Sequence, residues 1–175
     1  MNLAPDRKVA FLAVVVFLLG VFLSGCARYR VGSTLPAHLK TVHVVTFGNS
    51  SPEPGIETDV TNEVTARFRI DGNLRPVSLE KADAVLEGEI VGWRRAVVLY
   101  AGEDKDEVEE YRLYVTAVIT LFDRRREQAL VSARRVTGET TFVVAGALYD
   151  SELAARPAAF RELARRVVDE VTAYW

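Results

Sequence analysis

Any chemistry in this chain of 175 residues must come from a short inventory of side chains. There is one cysteine, Cys26, and there are two histidines, His38 and His43. The histidines stand five apart, one ahead of an extended run and one inside it. Their imidazoles therefore do not converge as two ligands on one helix face would, and ordinary surface or boundary histidines are expected. No serine sits in a Gly-x-Ser-x-Gly elbow, and no glycine-rich segment has the spacing that cradles a phosphate. Glu87 and Glu89 alternate onto one strand face, where a carboxylate pair is more often a solvated sheet surface than an acid–base couple. Neither Asp71-Gly72 nor the acidic run 103–107 has the ligand spacing and closing glutamate of a calcium loop. Without converging titratable groups, the chain is expected to be no enzyme and to hold no cofactor or metal. What remains is arginine: Arg94 and Arg95, then Arg124, Arg125 and Arg126, then Arg134 and Arg135. A guanidinium fork meets phosphate through two bonds. Arg94, Arg95, Arg124, Arg125 and Arg126 are therefore candidate contacts to a phosphorylated ligand, the alternative being that they keep a sheet edge soluble.

The cysteine has a separate chemistry. Arg7 and Lys8 precede an apolar block that starts at Val9 and runs to Leu23, the layout of a secretory signal. The block ends in Leu23-Ser24-Gly25-Cys26, which resembles the lipobox of bacterial lipoproteins. The thiol would be alkylated by a diacylglyceryl group and the chain cut after Gly25. Acyl chains of the palmitate class contribute about 0.8 kcal/mol per buried methylene, enough to hold the chain on a membrane without a spanning helix. An uncleaved anchor is the other reading, but about 15 apolar residues fall short of the roughly 17 to 25 that span. Residues 1–25 are thus expected to be signal, 26–40 a lipidated N-terminal arm and 41–175 a single domain. Ala27 stands where an aspartate would resemble an inner-membrane retention signal, which favours the outer membrane of a Gram-negative cell, on its periplasmic side. Taking Asp6, Arg7 and Lys8 out of the full chain's 22 basic and 24 acidic residues leaves 20 against 23, a balance that argues against nucleic acid as a partner. With its one cysteine acylated, the domain must be stabilised by packing and not by disulfides.

The elements that position these groups follow from periodicity. Thr41 to Phe47 alternates within a β-branched run and predicts a strand, and the turn formers from Gly48 to Gly55 predict a loop that no regular element crosses. Ile56, Val60, Val64 and Phe68 recur every four residues and predict an amphipathic helix of about four turns, closed at Asp71-Gly72-Asn73 by a left-handed glycine. Leu74 to Ser78 is a short extended piece. Ala84 to Tyr100, with Leu86, Gly88, Ile90 and Gly92 on one face, then Tyr111 to Phe122, then Leu130 to Val144 predict three long antiparallel strands. Glycines inside the first of these point to a bulge or a close-packed neighbour. In such a meander the acidic 103–107 tip lies at the opposite end of the sheet from Arg124 to Arg126. Phe160, Leu163, Ala164, Val167, Val168, Val171 and Trp175 form the stripe of a last helix, with Pro157 placed in its first turn, where no N–H is needed. The order β-α-β-β-β-α, with one apolar face per element, predicts an α+β two-layer sandwich: two helices on one face of a mostly antiparallel four-stranded sheet.

The succession of motifs resembles the LptE family of lipopolysaccharide-assembly lipoproteins. It is carried by Leu23-Ser24-Gly25-Cys26, by Tyr29-Arg30-Val31-Gly32 with Leu35-Pro36, by Phe47-Gly48-Asn49-Ser50, and by Glu53-Pro54-Gly55-Ile56-Glu57 leading into Val60-Thr61-Asn62. Asp71-Gly72-Asn73-Leu74 and Ala82 to Ile90 continue it. The resemblance implies a two-helix, four-stranded sandwich and a role as the plug of an LptD-type outer-membrane β-barrel that delivers lipopolysaccharide to the cell surface, filling its lumen, assisting its folding and touching the glycolipid. The arginines named above are then candidate lipopolysaccharide contacts from charge alone. A different class of reading is a free, periplasm-facing lipoprotein that binds a peptidoglycan or protein ligand in one concave patch.

Overall fold

A parallel crossover opens the domain. In the computed structural model, which describes residues 35–101 and 108–172, strand β1 (Thr41–Val44) lies beside β4 (Ala84–Tyr100) with Val42 opposite Ala84 and Val44 opposite Leu86. The signal segment, Cys26, the arm up to residue 34, the acidic run 102–107 and Trp175 fall outside the described residues. After β1 the chain keeps to the same neighbour. The Val45 N–H donates to the Leu86 carbonyl at 2.9 Å, and β2 (Gly48–Asn49) pairs in parallel with Glu89 and Ile90. The expected strand from 41 to 47 is therefore shorter, ending at Val44, and strand pairing resumes only at Gly48. The interruption falls where the buried Phe47 ring turns in over Gly88, and a Cβ on Gly88 would fall inside that ring. The expectation of a loop throughout 48–55 is corrected at Gly48 and Asn49, whose backbone groups complete the ladder that β4 offers.

Helix α1 (Glu57–Asp71) buries Val60, Val64 and Phe68 on one stripe, as its spacing predicted. Gly72 closes it at φ 80°, its N–H donating to the Phe68 carbonyl at 3.1 Å, a conformation that costs glycine little and other residues more. The two-residue β3 (Arg75–Pro76) then lies parallel to β1, and a 3-10 turn (Leu79–Lys81) leads into β4. β4, β5 (Val108–Asp123) and β6 (Gln128–Val143) form the predicted antiparallel meander. The sheet has six strands in the order β3-β1-β4-β5-β6, with β2 also on β4. The long meander keeps it mostly antiparallel, as expected, but it has six strands and not four: β1, β2 and β3 add short parallel pairings, which a helical crossover permits and which leave little trace in a periodicity.

Helix α2 (Leu148–Thr172) starts nine residues before Pro157, so that proline is inside the helix and not in its first turn. Leu148 to Arg156 are mostly good helix formers and carry the helix upstream of it. α2 lays Ala159, Phe160, Leu163, Ala164, Val167, Val168 and Val171 on the sheet, where they meet Leu113, Val115, Ala117, Ile119 and Leu121 of β5 in a continuous buried core. At Gly138 of β6 the approach is backbone to backbone, and a Cβ there would overlap N and Cα of Leu163. The α+β class, with two helices on one sheet face, stands as the apolar patterning predicted.

Candidate functional site

The sheet's second face carries no helix among the described residues, and it is built by alternation. On β5, Leu113 to Leu121 point to the helices at every odd position, while Arg112, Tyr114, Thr116, Val118, Thr120 and Phe122 point away. Their cross-strand neighbours form rows on that open face: Glu89–Val118–Arg135, Gly92–Thr116–Thr137, and Arg94–Tyr114–Glu139. The Thr116 and Thr137 hydroxyls are 3.0 Å apart, and the Arg94 guanidinium lies 4.1 Å from the centre of the Tyr114 ring, a cation–π contact. The result is a threonine-rich, charged surface.

Alternation puts the two arginines of β4 on opposite faces, and a β-bulge ahead of them decides which takes which. Ile90 pairs with Ala117 but Gly92 with Thr116, so β4 spends one extra residue at Val91 and its parity reverses. Trp93 and Arg95 consequently turn to the helix side, and Gly92, expected beside Leu86, turns to the open face. Trp93 Nε1 donates to Glu152 Oε1 at 2.9 Å, and Arg95 to Glu152 Oε2 at 2.6 Å. Glu152 is only 4% exposed, so both bonds offset the cost of burying its charge. Arg156 is 5.2 Å from the centre of the Trp93 ring and pairs with Glu53. Together with Pro52, Arg94 and Tyr149 these groups line a cleft of about 550 Å³. Sequence reasoning missed Glu152, Trp93 and Arg156. The available signal was a glutamate seven and eleven residues ahead of Ala159 and Leu163, on the buried stripe itself.

The other three candidate arginines sit at the far end of the sheet. Ala84 opposes Asp123, so the β5–β6 turn is ten strand residues, about 33 Å, from Arg94. Arg124 donates to the Leu79 and Ala82 carbonyls at 2.6 and 2.9 Å, and Arg125 to Asp83 at 3.0 Å. Arg126 has an exposed side chain and gives its backbone N–H to Asp123. The five arginines therefore occupy three places and form no single pocket, and Arg124 and Arg125 are structural ties.

That end is also where the N-terminal segment is fastened. Asp83 Oδ2 accepts the backbone N–H groups of Lys40 and Thr41 and the Thr41 hydroxyl, at 3.1, 3.1 and 2.8 Å. Asp123, fully buried, accepts His38 Nε2 at 2.6 Å and the N–H groups of Arg125 and Arg126. Burial pushes both carboxyls up. For Asp83 the bonds from Thr41 and Lys40 and the charge of Arg125 outweigh it, and for Asp123 the bonds from His38, Arg126 and Arg125 do so, so both lie below the usual carboxylate range. His43 meets the Val77 carbonyl at 3.1 Å, away from His38. Among the described residues no group of three or more His, Cys, Asp and Glu side chains could hold a metal ion, and no helix is long and apolar enough to cross a membrane.

Comparison with known proteins adds the family. The LptE model, described as lipopolysaccharide-assembly, matches residues 39–174. No curated protein matches the sequence significantly. The fold is similar to that of the hypothetical protein CT253 from Chlamydia trachomatis (TM-score 0.54, 12% identity, covering 78% of this chain and 97% of that one). It is also similar to protein XCC0632 from Xanthomonas campestris (TM-score 0.53, 12% identity, 82% and 90%) and to a minor lipoprotein from Acinetobacter baumannii (TM-score 0.50, 12% identity, 77% and 94%). These likenesses concern the fold alone. The family match runs from the segment fastened by Asp83 to the end of α2 and takes in the open sheet face and the cleft; the chain belongs to the LptE lipopolysaccharide-assembly family.

Proposed function

We propose that the protein is a lipid-anchored plug of an LptD-type outer-membrane barrel and takes part in delivering lipopolysaccharide through it. The observation that carries this reading is the open sheet face: a domain that buries its apolar residues between sheet and helices, and presents threonines and charged side chains on its broad second face, suits the polar lumen of a large barrel. Anchoring supports the same reading. Residues 1–25 act as signal, Cys26 carries the acyl chains, and Ala27 leaves the protein to the outer membrane. Arg94 and Arg95 lie next to Val97, Val98, Leu99 and Tyr100, which are 40 to 49% exposed. Cationic and apolar groups side by side suit an amphiphile whose headgroup bears phosphate; Arg126 is a further contact, at the opposite end. The protein works by filling and binding, without catalysis.

The test is co-isolation of the full-length, lipidated protein with an outer-membrane barrel after mild detergent extraction. Copurification in constant ratio is expected, and complete failure to co-isolate overturns the reading. Labelled palmitate that persists on Cys26→Ala overturns the anchor. The cleft at Trp93 favours the second reading, a free periplasm-facing lipoprotein holding a peptidoglycan or protein ligand. Growth with normal surface lipopolysaccharide after deletion would support that reading over the plug.

A further inference from the structure

The sheet guards its edges unevenly. On the β1 side it ends in the two residues of β3. On the same side of β4, above β2, the free stretch is broken by bulges at Val91 and Val98. The lower part of β6 is interrupted too: Leu121 opposes Val131 and Ile119 opposes Arg134, with Ala133 at φ 46°. Short strands and bulges are the usual means of keeping a foreign strand from pairing. From Arg135 to Val143, however, β6 is regular, one residue opposite one from Val118 back to Glu110, with no proline, lysine or bulge.

The direction of its hydrogen bonds is fixed by one contact. The Val144 N–H donates to the Glu109 carbonyl of the neighbouring strand at 2.9 Å, so in an antiparallel ladder the even residues below it also face β5. The backbone groups of Arg135, Thr137, Glu139, Thr141 and Val143 face outward. Among the described residues they meet no backbone partner.

We propose that this edge accepts one extended strand from the barrel partner, which adds a seventh strand to the sheet. The inference rests on the plug reading and names the way the partner is held. A second copy of this chain is excluded as the occupant by α2. The helix backbone lies directly on Gly138, so two copies paired through β6 would bring two helices over strands about 4.8 Å apart, whereas packed helix axes need about 8 to 10 Å. A lone strand without a helix of its own fits. Its chemistry is set by Arg135, whose side chain is exposed on the open face at the edge, while the Glu139 carboxylate four residues on lies 3.9 Å from Arg166 of α2. Arg135 calls for an acidic residue opposite it on the incoming strand, since opposite charges across a ladder stabilise it and like charges oppose it. Outward main-chain groups supply the affinity and the Arg135 side chain the register.

The experiment is hydrogen–deuterium exchange on the full-length, lipidated protein, alone and in its copurified barrel complex, followed in peptides spanning 134–143. In the free protein the amides of Arg135, Thr137, Glu139, Thr141 and Val143 should exchange fast and the even ones slowly; in the complex all five odd amides should become protected. A complex in which the odd amides exchange as in the free protein overturns the strand proposal and leaves the plug reading standing. Absence of any complex overturns both. Arg135→Glu, an exposed change that the free domain tolerates, should lower the copurified barrel about tenfold. An unchanged yield counts against pairing at this edge.

Discussion

Three carboxylates, Asp123, Asp83 and Glu162, shape how the domain responds to acid. Asp123 and Asp83 are held below the usual carboxylate range in the folded chain, and Arg165 and Arg166 hold Glu162 at about 2 in spite of its partial burial. A group depressed in this way contributes its stability above its unfolded value, near 4, and loses it as pH falls through the folded one. Urea midpoints should therefore fall as pH drops from about 4 towards about 2, and Asp123→Asn should flatten that slope while lowering stability at neutral pH. Arginines separate by partner. Arg94→Glu should weaken lipopolysaccharide retention several-fold, measured by pull-down from detergent, with the melting temperature little changed. Arg124→Ala, which removes bonds to two carbonyls, should instead lower stability by about 1 kcal/mol and leave retention as it was. Charge alone made these residues look equivalent in the sequence, because alternation says nothing about which carbonyl lies across a turn.

At the scale of elements, the meander and both helices were legible, and what was missed has two causes. The bulge at Val91 inserts a residue without altering composition, so a period-2 count places Gly92 on the wrong face and cannot see Trp93 and Arg95 turning to Glu152. Parallel pairing was equally hidden: Val42 and Ala84 are neighbours only because α1 carries the chain back. The glycines of β4 were readable as markers of a bulge or a close neighbour, and the structure has both, the Phe47 ring against Gly88 and the bulge just ahead of Gly92. Gly138 tests how tightly the layers fit. Gly138→Ala should cost about 1 to 3 kcal/mol by chemical denaturation, since the Leu163 backbone must retreat to admit a methyl. Glu152→Ala should cost about as much by leaving the Trp93 N–H without an acceptor, and Glu152→Gln less, because the amide oxygen keeps that bond.

For the whole molecule, the anchor proposed at the single cysteine would separate attachment from folding. Cys26→Ala should abolish membrane fractionation and acyl labelling with no change in the melting temperature of the domain, because the buried core of the described residues starts at Leu39, downstream of it. The crossover has a further, temporal consequence. β4, β5 and β6 are consecutive strands separated by only a few residues of sequence, whereas β1 meets β4 across 42 residues of sequence. Closing the longer loop costs more chain entropy before any contact repays it. The meander is therefore expected to gather first and the N-terminal strand to dock last, so the described segment nearest Cys26 would close the folding sequence, and slowing that step should leave a partly folded chain with β4 and its apolar face open.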